Sequence, residues 1–450
     1  MTGTLSQAWN ATVRRDPSAV ALVNAGTGET WTRAQLSGAV DIWCAGIPEA
    51  SALARRRVAM SEPNGLGWWA AFLGLMQLGA VPVMIDAGEP KPRQLELARS
   101  ARAVRLWSDG QWLDVAPARA AAPDHCLVKL TSGSSGVPRA WAFTHAQMLA
   151  DGSHVCESMG IGPQDINLAT IPLGHSYGLG NLVVPLIAKG TAMVLVDPPL
   201  PNVLASAASR WKCTVFPAVP ALLDALCRSS ANPAALSGLR LVITAGARME
   251  PRVATAFHAR FGLKVHNFYG ASETGGICYD RSGDATLSGR SVGTPLEGVR
   301  LRWRGRQRFV VESAAVRGSG TFVPVDLGTL AENGELVLLG RAGRLVKIGA
   351  RRVDLGEIEA ALRSLPGVRD AHVIADVAGR PGLAAAVATD LTKEQVRAHL
   401  HARLAPWKQP HRIVVLSAMP VNARGKTDRA TLERMLSGAA GGTPPDITPA

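Results

Sequence analysis

The segment Thr131-Ser132-Gly133-Ser134-Ser135-Gly136-Val137-Pro138-Arg139 has the composition to hold a polyphosphate. Gly133 and Gly136 let the backbone approach an anion closely, four hydroxyls and the backbone N–H groups donate hydrogen bonds, and Arg139 adds a cation at the far end. It is not a Walker A loop: the fifth position after Gly133 is Pro138, where that motif needs Gly followed by Lys and a hydroxyl residue. Taken alone, a Ser/Gly stretch of this kind serves equally as a flexible turn.

The loop directly follows the apolar run Leu127 to Leu130, which predicts a strand feeding it. Similar runs, Met193 to Val196, Thr214 to Pro217 and Leu239 to Thr244, alternate with helix-like segments such as Pro220 to Arg228 and Arg252 to Phe261. Strands alternating with helices imply an α/β body of doubly wound sheets. Gly65 to Ile85 is uncharged and long enough to span a bilayer, but it divides into a buried helix ending near Gly79 and a short strand closed by Asp86. No transmembrane segment is expected. After about residue 285 the pieces shorten (Arg300 to Trp303, Arg308 to Glu312, Gly334 to Leu339) and predict an antiparallel, β-barrel-like addition.

From Arg341 onward, 17 basic residues stand against 10 acidic ones, and helix and strand patterns alternate again: Leu355 to Leu365, Val368 to Ala375, Leu383 to Thr389, Lys393 to Leu404. The expected organisation is a large domain over 1–340, a small α+β domain over 341–437, and a Gly/Pro-rich disordered tail over 438–450.

With 47% hydrophobic and 18% charged residues, the chain has the apolar material for a core and not the composition of a disordered protein. The net charge of +13 suggests an anionic ligand. The arginines read as scattered among Ala and Gly without an aromatic-interleaved stripe, so no nucleic-acid partner is expected. Six cysteines show no CxxC or Cys/His metal spacing, and Met1 to Pro17 has no apolar stretch of the signal-peptide kind; these features predict reduced thiols and a cytoplasmic protein.

Further along stand Tyr269-Gly270-Ala271-Ser272-Glu273, Asp326, Gly340-Arg341, the run Lys347 to Glu359 and Gly425-Lys426. Together with the 131–139 loop, in this order and at these spacings, they resemble the adenylate-forming superfamily, which comprises acyl- and aryl-CoA synthetases, peptide-synthetase adenylation domains and luciferases. The resemblance covers about residues 20 to 435. It implies attack of a carboxylate on the α-phosphorus of ATP, with pyrophosphate expelled and an acyl-adenylate formed, then transfer to the thiol of CoA or of a carrier protein's phosphopantetheine.

By that resemblance the loop residues Thr131, Ser132, Gly133, Ser134, Ser135, Gly136 and Arg139 hold phosphates, Tyr269 and Gly270 face the adenine, and Asn267 reads its edge. Gly246-Ala247 lie against the ring, Ser272 donates to the α-phosphate, and Glu273 with Thr131 ligates Mg²⁺ as hard oxygen donors. Asp326 accepts from both ribose hydroxyls, with Arg341 as the second ribose contact, although Val325 stands where Gly is usual. Lys426 matches the catalytic lysine that bridges carboxylate and α-phosphate.

Pro172 to Gly178 resembles the segment leading to the acyl pocket, with His175 gating or lining it. No Asp lies between His175 and Lys189 to hold an α-ammonium, so a fatty, aliphatic or aromatic acid is expected. Arg139 replaces the usual loop Lys with a wider fork. Gly343 stands at the junction as a hinge, and Ala350 occupies the pantetheine passage, where Gly is common. Amide or ester formation, or nucleotide binding without catalysis, are the alternative outcomes.

Overall fold

Pro201, Pro220 and Pro251 each open a helix, Pro201–Arg210, Pro220–Arg228 and Pro251–Phe261, because proline's fixed φ suits the first turn and its missing N–H has no partner there in any case. Between these helices run the short apolar strands that they cover. The computed structural model describes residues 3–115, 121–122, 124–131, 139–341, 345–348, 351–377, 380–404, 406–421 and 427–437. The expected tail over 438–450 lies outside them.

The chain divides into two compact units. One comprises Met1–Pro324 with Gly328–Leu338, and the other Val325–Leu327 with the chain from Leu339 onward.

Two large sheets build the first unit. A nine-stranded sheet runs Thr294–Pro295, Gly275–Tyr279, Val265–Ala271, Leu241–Thr244, Val215–Ala218, Ile166–Ala169, Ala192–Leu195, Val20–Asn24, Thr30–Thr32. Its six central strands are parallel and its outer ones antiparallel. A six-stranded sheet runs Gln111–Asp114, Arg105–Ser108, Arg57–Ser61, Val81–Met84, His125–Thr131, Arg139–Thr144. It too is parallel in the middle and antiparallel at both ends.

The uncharged stretch after Gly65 becomes the helix Leu66–Gln77 and then the strand Val81–Met84. A helix apolar on every side belongs inside a core, and Trp69, Phe72 and Leu75 are completely buried. Truncating Phe72 to Ala costs about 3–5 kcal/mol by the general behaviour of such sites. Gly74 sits where a Cβ would come within 2.3 Å of the Trp43 ring, so this helix packs against Arg33–Ala45 at backbone distance. Among the described residues no helix is long and apolar enough to cross a membrane.

The antiparallel addition consists of a three-stranded sheet, Val299–Arg304, Arg308–Ser313 and Thr321–Phe322, and a two-stranded one, Asp326–Leu330 with Leu336–Arg341. Here the arginines are not scattered. Arg300, Arg302 and Arg304 alternate with Val299, Leu301 and Trp303, so the period of two puts all three guanidiniums on one exposed face, with Arg308 paired opposite Arg304.

In the second unit, a sheet of Val368–Val377, Arg380–Thr389 and Arg412–Leu416 is covered on both faces. Ala385 and Val387 pack with Ile358, Leu362 and Leu400, whereas Ala384 and Ala386 pack with Leu432 and Leu436. Buried Glu359, in the first helix, accepts from the Val373 N–H at 2.9 Å and ties helix to sheet.

Candidate active site

In parallel α/β sheets, ligands bind beyond the carboxyl ends of the strands, where backbone and side chains diverge from the core. Thr131 ends one such strand and Asp86 closely follows another in the six-stranded sheet. In the nine-stranded sheet, Gly246-Ala247, Ser272-Glu273 and the Pro172–Gly178 segment follow the strands Leu241–Thr244, Val265–Ala271 and Ile166–Ala169. Gly246 has φ +86°, which glycine adopts without strain, and both it and Ala247 are exposed.

The phosphate-loop candidate joins the antiparallel strands His125–Thr131 and Arg139–Thr144, whose register pairs Thr131 with Arg139. Residues 132–138, with Ser132, Gly133, Ser134, Ser135 and Gly136, lie outside the described residues. Thr131 Oγ1 accepts from Trp141 Nε1 at 3.1 Å, and Arg139 is exposed. Two residues before Thr131, on the same face, Lys129 is buried with its ammonium 4.3 Å from the Phe143 ring centroid. Burial pulls this ammonium below the ordinary lysine range, and the charges of Asp151 and Glu273 oppose that shift.

Glu273 stands with Ser272 and Thr274 in the turn between Val265–Ala271 and Gly275–Tyr279. The turn is closed by the Thr274 N–H donating to Ala271 O at 3.2 Å, with Thr274 Oγ1 donating to Gly275 O at 3.0 Å. Beneath it lies the buried carboxylate of Asp151, which accepts from Gly276 N–H at 2.9 Å. Ser272 and Glu273 are half-buried, and among the described residues their side chains have no hydrogen-bond partner. One buried carboxylate therefore supports the Glu273 turn from below while its charge reaches Lys129 in the strand of Thr131.

Tyr269 is half-buried in the adjoining core, on the same strand as Asn267. The Asn267 amide nitrogen donates to Ser291 O at 3.4 Å, so part of its donor capacity is used within the fold. Its neighbour Phe268 stacks on Tyr177, centroids 5.8 Å apart, and the Tyr177 hydroxyl donates to Ile243 O at 3.2 Å. His175, two residues before Tyr177, meets Asp86 with Nε2 3.0 Å from Oδ2. Asn64 clamps the same segment, donating to Ile171 O and accepting from Leu173 N–H, each at 3.0 Å.

In the second unit, Asp326 is half-buried at the start of its strand and Arg341 ends the strand Leu336–Arg341. Gly343, Ala350 and Lys426 lie outside the described residues. On either side of Lys426, Val421 and Thr427 form a bridge, the Asp428 N–H donates to Pro420 O at 2.8 Å, and Asp428 accepts from Thr431 at the start of the helix Arg429–Ser437.

Four residues of this site were not singled out by type and spacing: Asp86, Asn64, Lys129 and Asp151. Lys129 carried a signal, a charge within an otherwise apolar strand. The others gain meaning only from what folding brings beside them.

Residues 94–307 match the family described as AMP-binding enzyme, and residues 357–426 match the AMP-binding enzyme C-terminal domain. A probable 2-succinylbenzoate–CoA ligase of Mycobacterium tuberculosis is 33% identical over 346 residues, covering 70% of this chain and 86% of that protein. The chain belongs to the adenylate-forming AMP-binding enzymes. Phenyloxazoline synthase MbtB of Mycolicibacterium paratuberculosis is 29% identical over 95% of this chain, and the chain spans 42% of that longer protein. Among solved structures, ATP-bound MatB from Rhodopseudomonas palustris superposes with a TM-score of 0.83 at 20% identity, over 96% of this chain and 99% of that one. The amide bond synthetase McbA of Marinactinospora thermotolerans does so at 0.79 and 23%, over 96% and 99%. At these identities the superpositions show that this AMP-binding enzyme shares their fold.

Proposed function

We propose that the enzyme activates a carboxylic acid with ATP to an acyl-adenylate and transfers the acyl group to the thiol of CoA or of a carrier protein's phosphopantetheine. The observation that carries this reading is the link between the Glu273 turn and the strand of Thr131. Asp151 supports the turn through the Gly276 N–H, and the charges of Asp151 and Glu273 favour the buried Lys129 ammonium in the strand of Thr131, so the turn and that strand are electrostatic neighbours.

In this reading, carboxylate oxygen attacks the α-phosphorus and pyrophosphate leaves. Anion meets anion, so N–H groups, hydroxyls and cations must be aimed at the phosphates beforehand. Arg139 and the loop from Thr131 to Gly136 take that part, Ser272 donates to the α-phosphate, and Tyr269, Gly270, Asn267, Gly246 and Ala247 hold the base. Asp326 and Arg341 hold the ribose. Glu273 and Thr131 are oxygen donors of the kind Mg²⁺ takes, and the bound ion would offset phosphate charge. Lys426 bridges carboxylate and phosphate in the first step, and the passage at Ala350 serves the second. Residues 1–340 form the adenylation domain and 341–437 the mobile small domain. Six free thiols, four of them buried, suit a reducing compartment, and we place the enzyme in the cytoplasm.

A panel of aliphatic, aromatic and amino acids, scored for pyrophosphate release from ATP and Mg²⁺ with and without CoA, tests the reading. Release with uncharged-tail acids is expected. No release from folded enzyme with any acid would leave nucleotide binding alone, and a CoA-independent amide product would favour the outcome named for McbA.

A further inference from the structure

His175 and Asp86 come from different sheets and are 89 positions apart in sequence, yet their side chains meet at 3.0 Å. Each is held by further hydrogen bonds. The His175 N–H donates to Pro172 O at 3.2 Å and its carbonyl accepts from Leu179 N–H at 2.8 Å. Asp86 Oδ1 accepts from Gly88 N–H at 2.9 Å and its carbonyl accepts from Ser61 Oγ at 3.2 Å. Gly174, just before the histidine, sits where a Cβ would lie 3.2 Å from Met84, so the histidine segment rests directly on the end of the strand that Asp86 follows. The pair is therefore preset before any ligand arrives.

A carboxylate at Nε2 selects the tautomer with its proton on Nε2 and leaves Nδ1 as the basic nitrogen. Among the described residues Nδ1 has no hydrogen-bond partner, and the His175 side chain is 33% exposed against 15% for Asp86. Among the described residues the titratable group in contact with His175 is Asp86; Asn64, which clamps the neighbouring backbone, is neutral. Two residues on, Tyr177 packs on Phe268 beside Tyr269, so the pair shares a rigid segment with the strand assigned to adenine.

We propose that His175, oriented by Asp86, accepts the thiol proton in the transfer half-reaction. The inference rests on the ligase reading above. The thiol S–H proton passes to Nδ1 while sulfur forms a bond to the acyl carbon. The bond from that carbon to the phosphate oxygen breaks, and its electron pair leaves with AMP. His175 is left as imidazolium beside the Asp86 carboxylate and then returns the proton to water. His175 is the catalytic residue and Asp86 its positioning residue. The base is needed where the thiol, with an ordinary pKa of about 8.5, is still protonated, and it becomes superfluous above that.

The test uses the full chain with the best acid from the panel, CoA as thiol, and the near-isosteric variants Asp86→Asn and His175→Gln, with pyrophosphate release and thioester formation measured in the same samples from pH 6 to 9.5. At pH 7, thioester formation should fall on the order of 10²-fold in His175→Gln, at least tenfold more than pyrophosphate release falls, and the deficit should shrink as pH approaches 9.5. Asp86→Asn should show the same split with a smaller loss. ¹⁵N spectra of labelled wild type, with the His175 resonance assigned by its loss in His175→Gln, should show the Nε2–H tautomer, and Asp86→Asn should weaken that preference. Equal loss in both half-reactions, or a deficit constant with pH, overturns the proposal, as does an Nδ1–H tautomer in the wild type. Absence of wild-type pyrophosphate release with every acid would fell the ligase reading itself, an outcome distinct from a failed split.

Discussion

Asp151 Oδ1 lies 2.9 Å from the backbone nitrogen of Gly276, and the same oxygen is 2.2 Å from where a Cβ on Gly275 would stand. The carboxylate therefore fills the space that only a glycine leaves, under the turn that presents Glu273.

Gly275→Ala should for this reason destabilise the enzyme by about 2–4 kcal/mol, combining the left-handed φ of +71° with the clash against Asp151. Asp151→Ala should cost about 3 kcal/mol, since it leaves the Gly276 N–H unpaired and Lys129 buried without its main opposing charge. Urea unfolding measures both. Changes under 1 kcal/mol would show that the turn does not depend on this carboxylate.

Asp165 gives a pH prediction. Burial pushes its carboxyl up, but hydrogen bonds from Arg240, the Gly162 N–H and Thr214 outweigh this and hold it below the ordinary range. A depressed carboxylate contributes stability that is present above its unfolded pKa, about 3.9, and is lost as pH falls through the folded value. The stability gap between wild type and Asp165→Asn should stay constant from pH 7 to about 5 and narrow as pH falls below that in urea titrations. A gap independent of pH would mean the carboxylate's charge has no part in it.

Lys426→Ala and Glu273→Gln should each lower pyrophosphate release on the order of 10² to 10³, the usual loss when one preorganised group is removed from a developing anion. For Lys426→Ala, ATP binding by calorimetry should change little. Undiminished release in either variant removes that residue from the site.

Gly343 lies five residues beyond Leu338, where the first compact unit ends. If the small domain presents Lys426 in one half-reaction and the Ala350 passage in the other, Gly343→Pro, with φ fixed near −65°, should uncouple the two. Pyrophosphate release and thioester formation assayed separately should respond unequally. Wild-type rates for both would move the pivot elsewhere.

The α/β body was legible because each of its elements carries its own signal. Pro220–Arg228 has the bounds its pattern predicts, and the uncharged stretch after Gly65 divides into helix and strand as composition suggests. Tyr269 and Glu273 stand in a compact motif visible in the sequence, and the fold sets them on one strand and in the turn that follows it. Asp86 was not legible, since its meaning comes from His175, and only the packing of one sheet's carboxyl end against the other's brings them together. The sequence after His175 holds no Asp as far as Lys189, and the carboxylate that meets the histidine comes instead from Asp86, 89 positions earlier. Arg300, Arg302 and Arg304 looked scattered until the strand's period aligned them.

That arginine row stands on Val299–Arg304, the outermost strand of its sheet. An edge strand offers unpaired backbone groups to any passing copy of itself, and natural proteins guard such edges with charge. Two copies meeting here would bring guanidiniums against guanidiniums, with Glu312 the acid paired to Arg302 on this hairpin. Positive charge on this edge therefore disfavours its pairing with a second copy. Because the repulsion fades as the Debye length shrinks from about 8 Å at 0.15 M salt to about 3 Å at 1 M, concentrated enzyme should aggregate more readily in strong brine than in dilute buffer.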